Sequence, residues 1–215
     1  MIPKAINYCW FGGEKKPKSV KRCIESWKKI CPDYEIVEWN ESNFDVNAHP
    51  FVKEAYKSKA WAFVSDYARL KIVYDNGGIY LDTDVELIKS LNPLLDDGCF
   101  LAVGQEGDMV ATGLGFGAEK EHMLIAELMR EYDNIVFDQN KINQIACPFV
   151  SKKALDRLGF LYDGGISSIN GIKCKIYPPE FFDPIAPGNN VDLLSSRSFS
   201  IHHYDASWTL SLIHI

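Results

Sequence analysis

The chain has 215 residues, 47% of them apolar and 24% charged, which suits one folded α/β domain and excludes a disordered or fibrous chain. Its net charge of −6 argues against a general nucleic-acid binder, because phosphate contacts need a concentrated basic surface. The cysteines at 9, 23, 31, 99, 147 and 174 form no Cys-x-x-Cys pair, so they read as reduced, mostly buried thiols rather than disulfides or zinc ligands.

Residues 5–11 are an apolar, aromatic run that stops at Gly12-Gly13, which predicts a buried first strand and a loop. Val20, Cys23, Ile24, Trp27 and Ile30 then recur at helical spacing, with a basic outer face. A strand over 34–39 completes a βαβ opening. A short helix over 50–57 precedes a longer one, whose buried stripe of Trp61, Val64, Ala68 and Ile72 ends before Asn76-Gly77-Gly78. Strands are predicted at 79–81, 85–88, 100–103 and the glycine-rich 113–118, and helices at 121–132 and 149–158. Beyond Gly164-Gly165 the chain reads as strand and loop, since Pro178, Pro179, Pro184 and Pro187 exclude long helices. A last strand spans 198–203. No linker or repeat divides the chain, so one domain over residues 1–215 is expected.

The most informative stretch is SDYARLKIVYDNGGIYLDTD, which begins at Ser65. Its strand runs into Asp82 and Asp84, whose i, i+2 spacing places two carboxylates on one side. Hard oxygen ligands of this kind suit Mg²⁺ or Mn²⁺ held against a diphosphate. At a strand end in an α/β fold, where ligands bind, the pair reads as a site rather than a solvated turn. Asp66 and Arg69, three apart on one helix face, read in isolation as a surface ion pair. Trp10 could stack on a nucleobase or belong to the core, and Gly12-Gly13 lets a ligand approach the backbone. Adjacent strand residues point oppositely, so at most one of His202 and His203 is expected to face the site.

The segments IPKAINYCWFGG, SDYARLKIVYDNGGIYLDTD and HHYDASW resemble, in order, the motifs of glycosyltransferase family 32. That family includes bacterial capsular-polysaccharide transferases and yeast-type initiating mannosyltransferases, and is distantly similar to the catalytic domains of clostridial glucosylating toxins. The resemblance implies a GT-A fold, Rossmann-like with a mixed central sheet flanked by helices. It also implies a nucleotide-sugar donor, Mn²⁺ or Mg²⁺, and retention of anomeric configuration. Carried over by position, Trp10 stacks on the base, with Phe11 and Gly12 beside it. Asp66 and Arg69 contact the donor sugar or its phosphates, and Asp82 touches ribose and sugar. Asp84 binds metal together with Asp82 and His203, and Ser207 and Trp208 close over the diphosphate.

The implied reaction moves a hexose, from a UDP-sugar in preference to GDP-mannose, onto an oligosaccharide, lipid-linked or polysaccharide acceptor in cell-surface polysaccharide synthesis. Asp66, Arg69, Asp82 and Asp84 are the expected catalytic set. LDTDV also resembles the Asp-x-Asp of haloacid-dehalogenase-like phosphatases, although that motif ordinarily ends a first strand. A catalytically silent sugar-binding subunit is the third reading. With no signal-peptide pattern at the N-terminus and no apolar stretch of spanning length, a cytoplasmic protein is expected. The basic helix offers a peripheral contact with the inner membrane face.

Overall fold

A computed structural model describes residues 1–105, 109–187 and 191–205 of the chain. It opens as β1 (Ala5–Cys9), α1 (Lys18–Ile30) and β2 (Glu35–Trp39), with β1 and β2 paired in parallel from Ala5 opposite Glu35 to Cys9 opposite Trp39. After α2 (Pro50–Lys57) and α3 (Trp61–Asn76), β3 (Gly78–Tyr80) pairs in parallel with the other edge of β1. β4 (Val85–Leu87), β5 (Cys99–Ala102), β6 (Phe116–Ala118), α4 (Met123–Arg130), α5 (Ile142–Ile145) and α6 (Cys147–Arg157) follow. β7 (Ser167–Ile169), β8 (Ile172–Tyr177), α7 (Pro179–Phe182) and β9 (Ser200–His202) complete the order.

Seven strands form one mixed sheet in the order β2-β1-β3-β6-β5-β8-β7, in which β6 runs antiparallel to both its neighbours. Side chains leave its strands alternately, as a pleat requires. Ile79, Leu81 and Phe100 therefore enter a core beneath α1, whereas Tyr80 and Leu101 enter the core beneath α3. The expected mixed sheet with helices on both faces is what the chain forms.

Three local expectations change. Of the predicted 113–118 strand only Phe116–Ala118 pairs, because the preceding residues turn in above the end of β3. The predicted return strand after Asp84 does not rejoin the main sheet. β4 pairs antiparallel with β9 in a two-stranded ribbon, Val85 opposite His202, and is fixed to α1 by Trp27 Nε1 donating to Val85 O at 2.7 Å. The proline-rich C-terminal third contains the β7–β8 hairpin and the single-turn α7, which its punctuation did not separate.

Candidate active site

The C-terminal ends of β1 and β3 open into a cavity of about 420 Å³, where ligands bind in sheets of this type. β3 ends at Tyr80, so Asp82 and Asp84 are joined by a turn closed by Val85 N donating to Asp82 O at 3.0 Å, not by a pleat. Both carboxylates still line the cavity, together with Asp66, Arg69 and Trp10.

Arg69 is the electrostatic centre. It is 3% exposed, its Nη2 lies 2.9 Å from Asp66 and 3.4 Å from Asp82, and its guanidinium stands 5.1 Å from the Tyr80 ring centre. The pair that looked like a surface salt bridge is thus buried, and it reaches the Asp-x-Asp turn. One guanidinium shared between two carboxylates does not offset the burial of both. Burial raises Asp66 to about 6, against the pull of Arg69 and with a further push from Asp82. Burial also raises Asp82, opposed by Arg69 and reinforced by Asp84. Tyr80 donates its hydroxyl to Asp82 Oδ1 at 3.0 Å, and the Cys147 N–H at the start of α6 serves Asp66.

The titration of Asp66 gives a measurable stability signature. Between its unfolded value near 3.8 and about 6 the native chain binds the extra proton, so this group lowers stability as pH rises through that window. The stability of metal-free Asp66→Asn relative to wild type is expected to climb by about 2 kcal/mol from pH 4 to pH 6.5 and then level off. Denaturant melts across that range check it; a flat difference curve would refute it.

Asp84 behaves oppositely. Burial works to raise it, but the hydrogen bond and charge of His202, with the main-chain N–H groups of Asp84 and Asp205, hold it below the usual carboxylate range. His202 Nε2 is 3.2 Å from Asp84 Oδ1, and Asp205 N donates to Asp84 Oδ2 at 3.1 Å. Burial pulls His202 down, yet Asp84, Asp82 and Asp183 outweigh it and raise the imidazole. Asp82, Asp84 and His202 each offer a ligand atom within 4.8 Å of the others.

The structure brings His202, not His203, beside the two aspartates. In the β4–β9 ribbon the two histidines alternate, so His202 joins the aspartates while His203 Nε2 turns to Glu86 Oε2 at 2.8 Å. Two carboxylates and one imidazole form an oxygen-rich donor set that fits Mn²⁺, and Mg²⁺ less well because of the nitrogen. His202 Nδ1 is buried with no hydrogen-bond partner among the described residues, while its Nε2 is engaged by Asp84.

The other wall is aromatic. Trp10 lines the cavity, with its Nε1 donating to Glu14 O at 2.7 Å and the Lys16 ammonium 5.6 Å from its ring. Phe11 lines it too, edge-on to Phe44 at 5.8 Å. Gly12 adopts φ +87°, and a Cβ there would lie 2.8 Å from the Trp61 indole, so both backbone and space require glycine. Ser207 and Trp208 lie outside the described residues.

Sequence reasoning missed four contributors. Trp61, predicted on the buried stripe of the helix that ends before Asn76, and Tyr80, predicted only as part of the 79–81 strand, both line the cavity. Gly113 was only one of several alternating glycines; an added Cβ there would collide with Asp82 Oδ2 and lie 3.1 Å from Arg69 Nη1. Tyr204 packs edge-on against His202 at 4.1 Å and donates to the buried Asp183 at 2.8 Å. The strict alternation of Ile79-Tyr80-Leu81 was the available signal for Tyr80.

Residues 17–101, which contain the Asp82-Thr83-Asp84 turn, match the model of a glycosyltransferase sugar-binding region containing a DXD motif. The chain is 30% identical over 144 residues to inositol phosphoceramide mannosyltransferase 3 of Schizosaccharomyces pombe, covering 64% of this chain and 39% of that one. It is 35% identical over 106 residues to an uncharacterized glycosyltransferase of Acanthamoeba polyphaga mimivirus, covering 46% of this chain and 42% of that one. The chain thus spans about two-fifths of the length of these two relatives. Among solved structures, the PaToxG glycosyltransferase superimposes with TM-score 0.58 at 20% identity, covering 73% of this chain and 68% of that one. A glycosyltransferase involved in glycosylating the major capsid of PBCV-1 covers 96% of each chain with TM-score 0.51 at 13% identity. The fold is therefore the GT-A type. Its DXD turn lies within the matched sugar-binding region, and over residues 17–101 the chain is similar to glycosyltransferases that carry this motif.

Proposed function

We propose that residues 1–215 work as one catalytic domain that transfers a hexose from a nucleotide-sugar onto an acceptor hydroxyl with retention of configuration. A UDP-sugar is the favoured donor, and GDP-mannose is the next to test, since one relative is named a mannosyltransferase. The observation that carries this reading is the convergence of Asp82, Asp84 and His202 on a cavity that Trp10 and Trp61 also line. It combines a metal–diphosphate end with an aromatic end for a base.

Asp82, Asp84 and His202 would hold Mn²⁺ or Mg²⁺. Such an ion, when bound, supplies positive charge for the departing diphosphate. His202 must shed its proton to serve, so cation binding is coupled to proton release. Arg69 provides a fixed buried cation beside the same phosphates, already desolvated and locked by Asp66 and Asp82. Asp82 keeps 27% of its side chain open to the cavity and can accept hydrogen bonds from donor hydroxyls. A double displacement needs a carboxylate behind the anomeric carbon. Asp66 and Asp82 are both engaged by Arg69, which favours front-face attack with the leaving phosphate taking the acceptor proton.

The test is release of nucleoside diphosphate from a nucleotide-sugar panel with Mn²⁺, with Mg²⁺, and with chelator, beside phosphate release from p-nitrophenyl phosphate. Metal-dependent UDP or GDP release supports the proposal. Phosphate release alone would support the phosphohydrolase reading, and neither product would leave a sugar-binding subunit. Gly113→Ala provides a finer check, because its methyl group must displace the Asp82 carboxylate without any backbone strain. The expected result is at least a tenfold loss of turnover, with stability reduced by about 1–3 kcal/mol. Unchanged turnover would remove Asp82 from the site.

A further inference from the structure

Residues 15–29 hold Lys15, Lys16, Lys18, Lys21, Arg22, Lys28 and Lys29 against the single acid Glu25, a local charge of +6 in a chain whose net charge is −6. In α1, Val20, Cys23, Ile24 and Trp27 are buried, and Lys18, Lys21, Arg22, Lys28 and Lys29 stand exposed on the opposite face.

Two features separate this face from an ordinary solvated one. On the other helices Lys57, Lys71, Arg130 and Lys152 are each paired with an acid three or four residues away. None of the five α1 cations has an ion pair among the described residues, although Lys21, Arg22, Lys28 and Lys29 all lie three or four positions from Glu25. Moreover, Lys18, Lys21 and Arg22 occupy the first turns, where the helix dipole disfavours cations, and no acid is present there. Lys28 and Lys29 stand in the last turn, where the dipole favours them, but Lys18, Lys21 and Arg22 place positive charge where it does not help the helix, as expected of a surface shaped by a partner.

We propose that the outer face of α1 docks on an anionic lipid bilayer. Clusters of four to eight Lys and Arg on an amphipathic helix have this property. The face is convex and carries no aromatic side chain on which bases could stack, so it lacks the means by which single-stranded nucleic acid is held. It is also rigidly tied to the site. Trp27 and Ser26 hydrogen-bond β4, which begins directly after Asp84, and Lys16 lies over Trp10 at the cavity lip. Docking by α1 would hold the site near the lipid surface, within reach of a lipid-linked acceptor. Only this last consequence rests on the proposed transferase activity.

The experiment is sedimentation of the 215-residue chain with phosphatidylcholine vesicles, with and without phosphatidylserine, over a salt series. The wild type is expected to bind only the phosphatidylserine vesicles and to be released by salt. Lys21→Gln/Arg22→Gln/Lys28→Gln/Lys29→Gln is expected to weaken binding about fivefold per cation removed, several hundredfold in all, with Tm and donor hydrolysis unchanged. Three results would overturn the proposal: no binding at low salt, equal binding by the quadruple variant, or displacement of the chain from vesicles by dextran sulfate or duplex DNA at lower charge concentration than the lipid. Donor hydrolysis is read on the same samples without vesicles, so failure of the transferase reading leaves the docking result standing, and the reverse.

Discussion

Asp84→Ala is expected to abolish metal-dependent turnover, by a factor of a thousand or more, in a protein that still folds. The carboxylate contributes a ligand atom, accepts from His202 Nε2 at 3.2 Å, and accepts from the Asp205 N–H at 3.1 Å. Its removal takes away one of three ligands and the group that orients a second. With the charge that opposes the departing diphosphate lost, the largest source of catalysis goes with it. The backbone of the β4–β9 ribbon survives, because His203 N donates to the main-chain oxygen of residue 84 at 2.9 Å and the ladder is untouched. Asp84→Asn separates the two roles: it keeps an acceptor for the Asp205 N–H while weakening cation binding. Mn²⁺ titration followed by thermal shift, and diphosphate release with and without chelator, measure both. A purified Asp84→Ala protein with normal rates in chelator would remove this residue from the metal site.

The largest expected effect on stability belongs to Arg69. Arg69→Met keeps the bulk of the side chain but leaves Asp66 and Asp82 buried without their shared cation. Breaking a buried charge cluster from one side costs about 3–5 kcal/mol, which for a chain of this size lowers Tm by about 10 °C. The sign of the pH dependence is set by the carboxylates. Without Arg69 their values rise further, so the loss is greatest near neutrality and shrinks as the two carboxylates take up protons on acidification. Adding Asp66→Asn to Arg69→Met is expected to recover part of the lost stability, by removing one of the two stranded charges. Chemical denaturation of the single and double variants at pH 5 and pH 7.5 tests this. A loss independent of pH and unaffected by the second change would mean that Arg69 acts through packing alone.

Most elements were legible because each rests on a local pattern. The i, i+3, i+4 stripe of Val20, Cys23, Ile24 and Trp27 produced α1, and Gly77, at φ +71°, stopped α3 where predicted. Alternation alone could not say that β4 would leave the main sheet, since a three-residue apolar strand pairs with whichever edge the tertiary structure presents. Its partner β9 lies more than a hundred residues away. In the 113–118 segment only the last three residues are extended, because Gly113 and Gly115 pack against Asp82 and Leu81 where the chain turns in above the end of β3.

The sequence by itself determined the α/β order, the paired carboxylates after β3, and the likeness of three ordered segments to one family. These depend on residue types and short spacings, which no distant contact alters. Tertiary structure decided which groups act together. Asp66 and Arg69 became a buried cluster rather than a surface pair because α3 packs its Arg69 face against Tyr80. His202 rather than His203 reached the aspartates because the register of β9 on β4 sets which face each presents, and a one-residue shift would have exchanged them.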